Sequence, residues 1–267
     1  MEFLQYGFMQ RAIVAGVTVA IICPVVGLHL VLRRLPMIAD GLGHVAFGGI
    51  AVGLLLQVHP IVEAVAIAAL GALGIEGGRA AGWLTRDTAL AVFSALGLAL
   101  GIVLSKIAGG FNVDLLGFLF GSLVTVSPSD LWLILGLGGT ILTVMTLLNK
   151  EFFYVTFDEE SARASGLPVG MLNIVLAVLA AVTIVAAMRV VGLLLVSSLM
   201  VVPVAASLQA AASFSQALAL SVGLGVLSVL VGLAAAFYLD LPAGGTIVLT
   251  TLATFVLMRV IGPRCRR

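Results

Sequence analysis

The chain has 267 residues, of which 62% are hydrophobic and 9% charged, with a formal net charge of +1. A soluble domain carries roughly 25% charged residues, so an ordinary soluble core is excluded, and no basic run is interleaved with aromatics as nucleic-acid binding requires. The two cysteines, Cys23 and Cys265, give no disulfide or zinc-finger framework.

The apolar residues fall in repeated stretches near the ~20 residues that cross a bilayer as helix. An all-α polytopic membrane protein follows, one transmembrane domain over residues 1–267 with the lipid bilayer as its solvent. Its first span is predicted over 11–32. That run is too long for a signal-peptide core, and its positive flank, Arg33 and Arg34, follows it rather than precedes it. The positive-inside rule puts this flank in the cytoplasm and the N-terminus outside. Further spans are predicted over 37–57, 60–83, 88–107, 131–148, 171–188, 190–209, 216–238 and 244–261, about nine in all. Alternation then places Arg79, Arg86, Lys150, Arg163, Arg264, Arg266 and Arg267 inside, with a cytoplasmic C-terminus, and leaves Arg11, Lys106 and Arg189 outside. Glu63, Glu76 and Arg189 fall near helix ends, where snorkelling or local pairing accommodates them.

Two connections are longer than the rest. Residues 108–130 predict a short outer helix, preceded by the Gly109-Gly110 break and ended by Pro128. Residues 149–170 are the one sizeable polar stretch, on the cytoplasmic side. Within it "FDEESARASGLP" predicts a short helix: Asp158, Glu159 and Glu160 suit its positive end, Gly166 supplies a left-handed closing residue, and Pro168 prevents continuation. It is either a solvated connection or a rigid helix on which a soluble subunit pushes.

The second span, "MIADGLGHVAFGGIAVGLLL", carries Asp40 and His44 four residues apart, hence on one helix face. A carboxylate oxygen and an imidazole nitrogen suit zinc and are acceptable to manganese. The plainer account is a hydrogen-bonded packing histidine, with Asp40 accepting its proton or capping the helix after Pro36. Intramembrane ionisable groups are costly and point first to function. Two ligands are too few for a structural zinc site, which wants four. Two copies facing each other across a twofold axis would complete four. Of the glycines nearby, Gly48, Gly49 and Gly53 are read as helix packing, Gly41 and Gly43 as bordering a path. Pro203 kinks its own span.

Four stretches carry a family resemblance. Glu160-Ser161-Ala162 followed by Gly166 resembles the Glu-Ala-Ala loop of bacterial ABC importer permeases, with Ser161 in place of the first alanine. "DGLGHVAFGGIAVG", "VVGLLLVSSLMVVPVAAS" and "LPAGGTIVLTTLATFVL" resemble, in order, segments of the permeases that import zinc and manganese. The resemblance implies a multi-pass subunit of the bacterial cytoplasmic membrane, and the count of ligands adds the expectation of a homodimer with a central path. It implies Asp40 and His44 as metal contacts, with zinc the first expectation for the cargo, manganese the second, and no permanently bound cofactor. It implies ATPase subunits coupled through Asp158, Glu159, Glu160, Ala162 and Gly166, and an extracellular metal-binding protein. Gly43 departs from the family, whose members often carry serine there.

No phosphate-binding loop is present; Lys106 and Lys150 are the only lysines. ATP hydrolysis therefore belongs to another polypeptide, and the chain is a transport subunit rather than an enzyme. A self-sufficient channel or proton-coupled carrier explains the Asp40–His44 pair but not the cytoplasmic loop. An intramembrane zinc protease requires His-Glu-x-x-His, which is absent.

Overall fold

Proline, glycine and small polar residues punctuate the chain at nearly every helix end, and the apolar runs between them fold as helix. The computed structural model describes residues 7–109, 113–121 and 126–265, and no strand occurs among them. The helices are α1 (Gly7–Leu32), α2 (Met37–Leu56), α3 (Pro60–Ala80), α4 (Arg86–Ile107), α5 (Val113–Phe120), α6 (Pro128–Leu147), α7 (Asn149–Phe157), α8 (Glu159–Ala164), α9 (Val169–Val191), α10 (Val196–Ser207), α11 (Phe214–Leu239) and α12 (Ala243–Cys265). Among the described residues, eight helices are long and apolar enough to cross a membrane.

Burial sorts these spans. α1, α2 and α9 have 67%, 72% and 72% of their most apolar windows buried and form the inner layer, whereas α4 and α6, at 28% each, lie outside. Leu96, Val103, Trp132, Leu249 and Val256 are exposed large apolar residues on outer helices. In water such a surface would be an aggregation hazard; in hydrocarbon it is a solvated one.

The seventh expected span, 190–209, is shorter than expected. α9 continues through Arg189 to Val191, Gly192 turns the chain at φ +90°, and α10 begins at Val196. Its 12 residues reach only about 18 Å, against a hydrocarbon core of ~30 Å. The turn before it is held from outside: Leu193 and Leu194 donate backbone hydrogen bonds to the carbonyls of Phe118 and Leu119 in α5, at 2.9 and 3.3 Å. A Cβ at Gly192 would collide with the Phe120 backbone. Glycine is needed here for both its φ and its bareness.

Two expected helix boundaries also move. Pro128 opens α6 instead of ending the short helix: Ser127 accepts from the Asp130 amide and Asp130 accepts from the Ser127 amide, both at 3.1 Å, a reciprocal cap with proline at the first helical position. The polar stretch 149–170 holds two helices rather than one, because α7 continues nearly from the end of α6. Gly110, Arg266 and Arg267 lie outside the described residues.

The bundle has two ends, named here by their short helices. The α5 end carries the α2–α3 turn and the close of α9. The α8 end carries the α1–α2 turn, α7, α8 and the start of α9. Helix α7 is clamped there by aromatic contacts, with Phe153 against Phe214 (centroids 5.1 Å apart) and His29 between Phe152 and Phe214 (5.8 and 5.4 Å).

Candidate metal path and coupling site

Most of α2 is buried in its own protomer. Ile38, Ala39 and almost every residue from Gly41 to Ala51 are covered, but Met37, Asp40 and, in part, His44 are not. These three lie at i, i+3 and i+7, so they form one stripe at the α8 end. The Asp40 and His44 side chains are 49% and 24% exposed, with Oδ2 and Nε2 3.8 Å apart. That separation is too long for a hydrogen bond. Two ligand atoms about 2.1 Å from a tetrahedral ion stand roughly 3.4 Å apart, so modest side-chain rotation brings both onto one cation. The packing-histidine account predicted a covered imidazole with a hydrogen bond, and His44 is neither.

A groove of about 290 Å³ runs beside the stripe, lined by Met37, Asp40, Gly41, Asp87, Leu90 and Ser94. Gly41 borders it while packing on Leu90 of α4. Gly43 points elsewhere: a Cβ there would stand 3.8 Å from Leu193 Cδ1 and 4.0 Å from Ile184 Cγ2, inside the protomer. Gly48 meets the Gly97 carbonyl of α4, and Gly49 and Gly53 meet the α3 backbone, as helix packing through small residues requires. Asp87 was not singled out by sequence, because an acid in the first turn of a helix reads as a dipole partner. Among the described residues, no group of three or more His, Cys, Asp or Glu is placed to hold a metal; this chain brings together two candidate ligands, Asp40 and His44.

The expected docking helix is α8. Asp158 is its N-cap and accepts from the Ser161 amide at 2.9 Å, and these bonds from Ser161 hold the carboxyl below the usual carboxylate range. At the other end Gly166 adopts φ +84°, with Gly166 N–H donating to Arg163 O and Leu167 N–H to Ala162 O, both at 3.1 Å. This is a Schellman close. Glu160, Arg163 and Ala164 are exposed, and with half-buried Glu159 they line a concavity of about 620 Å³. Ala162 corrects an expectation about contact: it is fully buried and belongs to the hydrophobic core, so its small side chain serves packing within the chain. The face that α8 leaves exposed is that of Glu160, Arg163 and Ala164.

Local pairing was expected for Glu76 and is found, with Arg79 Nε donating to its Oε2 at 2.8 Å. Arg189 pairs at long range. Its Nε is 3.5 Å from Asp130 Oδ2 and its guanidinium sits 3.9 Å over the Phe118 ring, while His59 Nε2 is 3.8 Å from the other Asp130 oxygen. This cluster fastens α3, α5, α6 and α9 together at the α5 end. Asp130 is 2% exposed, so Asp130→Ala leaves a largely buried guanidinium without its carboxylate and removes the α6 cap. The expected loss is about 3 kcal/mol, read as a lowered thermal midpoint of the purified protein; a variant as stable as the parent would show that the cluster carries no weight.

A bundle of apolar helices, eight of them long enough to cross a membrane among the described residues, defines a polytopic membrane protein. Comparisons with known proteins agree. The ABC 3 transport family matches residues 5–262. An uncharacterized membrane protein of Synechocystis sp. is 36% identical over 262 residues, covering 96% of this chain and 91% of the relative. A manganese transport system membrane protein of Halalkalibacterium halodurans is 30% identical over 263 residues, covering 98% and 90%. The solved structure described as PsaBC from Streptococcus pneumoniae in complex with Fab superposes with a TM-score of 0.90 at 30% identity, covering 99% of this chain and 96% of that one. The chain belongs to the ABC 3 transport family, which bears out its resemblance to the metal-importer permeases.

Proposed function

We propose that the chain is the membrane subunit of an ATP-driven importer whose cargo is manganese. The observation that carries the reading is the Asp40–His44 pair, left partly uncovered with Met37 in a stretch of α2 that is otherwise buried from Ile38 to Ala51. A carboxylate facing lipid is costly, so such a stripe favours contact with water, a second subunit or a passing cation. Manganese replaces zinc as the preferred cargo. Relatives covering nearly the whole chain are named for manganese transport, and a carboxylate beside an imidazole is a donor pair acceptable to this ion.

A half-site in each protomer supports a dimer of two copies, the stripes facing across the axis so that two Asp40 and two His44 side chains complete a passing shell. Binding must stay weak enough for release, and a site divided between subunits comes apart when they separate. The α8 end is read as cytoplasmic, since Arg33, Arg34, Arg79, Arg86, Lys150 and Arg163 all lie there. Although short, α10 with its flanking residues carries the chain from Leu193 at the α5 end back to Phe214 at the α8 end, so the N-terminus is then outside and the C-terminus inside. Separate ATPase subunits would dock on the Glu160–Arg163–Ala164 face, and an extracellular metal-binding protein would deliver to the α5 end.

Reconstitution tests this reading against a channel or carrier. With a cognate ATPase, the chain is expected to co-purify as a complex and to accumulate manganese in liposomes on ATP addition. Manganese flux through liposomes holding this chain alone would overturn the importer and establish the self-sufficient alternative.

A further inference from the structure

The turn between α1 and α2 is short and held by a run of backbone hydrogen bonds. Leu35 N–H donates to Leu30 O at 2.8 Å and Arg34 N–H to Val31 O at 3.0 Å, with Arg34 at φ +60°. Ile38 and Ala39 then donate to Leu35 O and Pro36 O at 3.1 and 3.2 Å. No slack remains between the end of α1 and the first turn of α2, where Asp40 sits. The side chain of Arg33 leaves this turn in the direction of α8. Its Nη2 donates to Glu159 Oε2 at 3.1 Å and to Asn173 Oδ1 at 2.6 Å. Glu159 is the first residue of α8, and Asn173 lies in α9 just beyond it.

The Arg33 side chain is 6% exposed, and the Glu159 side chain 35%. Its neighbour Arg34 is exposed, so charge at this membrane edge did not require burying a second arginine. A buried guanidinium held at one end by a taut turn and at the other by a docking helix joins two bodies that must move together. We infer that Arg33 is a positioning residue that transmits displacement of α8 to the start of α2, and through it to Asp40 and His44. The inference rests on the importer reading and deepens it by naming the link between the ATPase-facing helix and the cargo stripe. A pull on Glu159 moves Arg33, and the bonded turn passes the movement to the first turn of α2 without a hinge. Planar guanidinium geometry suits the task, because one group meets two acceptors in fixed directions.

The test is a double-mutant cycle on the assembled transporter, reading manganese accumulated per ATP hydrolysed in liposomes. Arg33→Gln and Glu159→Gln are each expected to lower that ratio by about tenfold while ATP hydrolysis continues and manganese binding persists. The double variant is expected to be no worse than either single one. Effects that multiply would mean that Glu159 acts on the ATPase alone, which overturns the inference, as would a normally coupled Arg33→Gln transporter. If Arg33→Gln fails to assemble, Arg33→Lys keeps the charge and the cycle is repeated with it, with the same outcomes deciding. Failure of the parent to couple transport to ATP would instead overturn the importer reading, so the two failures are told apart.

Discussion

Asp40→Ala and His44→Ala are each expected to abolish manganese uptake in cells while the protein accumulates in the membrane at parental levels. Neither side chain supports the fold: they lie 3.8 Å apart without a hydrogen bond, and both are partly exposed. Removing a polar group from a span eases insertion, so a loss of transport cannot be assigned to failed assembly. Groups that merely orient metal ligands are worth about 10–100-fold, so losing a ligand itself should reduce uptake by at least that much. Uptake at the parental rate in both variants would remove the stripe from the transport path.

Gly166→Val carries the second large effect. The residue stands at φ +84° and closes α8 through the paired bonds to Arg163 and Ala162. A β-branched residue in this region costs on the order of 1–3 kcal/mol. No atom stands within 4 Å of a Cβ built there, so the strain is conformational and not a collision. The membrane bundle should remain intact while α8 loses its closing turn. The expected result is a transporter that hydrolyses ATP without importing metal, or one that releases its ATPase during purification, with manganese binding at Asp40 and His44 preserved. A normally coupled Gly166→Val variant would mark α8 as an ordinary solvated connection. Ala162→Arg, by contrast, should fail earlier, in folding, because Ala162 is fully buried.

Much of this was legible in the sequence because membrane helices announce themselves. A lipid-facing helix must be apolar over about 20 residues and satisfy its own backbone, and eight such runs were placed within a few residues of their ends. Asp158 and Gly166 were legible because helix caps depend on local chemistry alone. Asp40 and His44 stood out as ionisable groups in a grease-rich segment. Failures came where tertiary contact decides. The α9–α10 break is set by the α5 carbonyls accepting hydrogen bonds from Leu193 and Leu194 N–H, and hydropathy has no access to that. Gly41 and Gly43 are two residues apart and diverge in what they face, because helix rotation relative to α4 and α9 is a packing outcome. Ala162 looked like a contact surface since small residues serve both interfaces and interiors. Arg33 read only as a topology signal; its partners lie 126 and 140 residues away in sequence.

The cargo stripe itself is open to direct spectroscopy, because Mn²⁺ is paramagnetic. Pulsed electron paramagnetic resonance on the purified transporter loaded with Mn²⁺ reads which nuclei surround the ion. A ¹⁴N coupling from imidazole is expected in the parent and should vanish in His44→Ala, with bound manganese itself reduced in Asp40→Ala. Bound manganese that shows no nitrogen coupling in the parent, or a coupling that persists in His44→Ala, would contradict the placement of the cargo on Asp40 and His44.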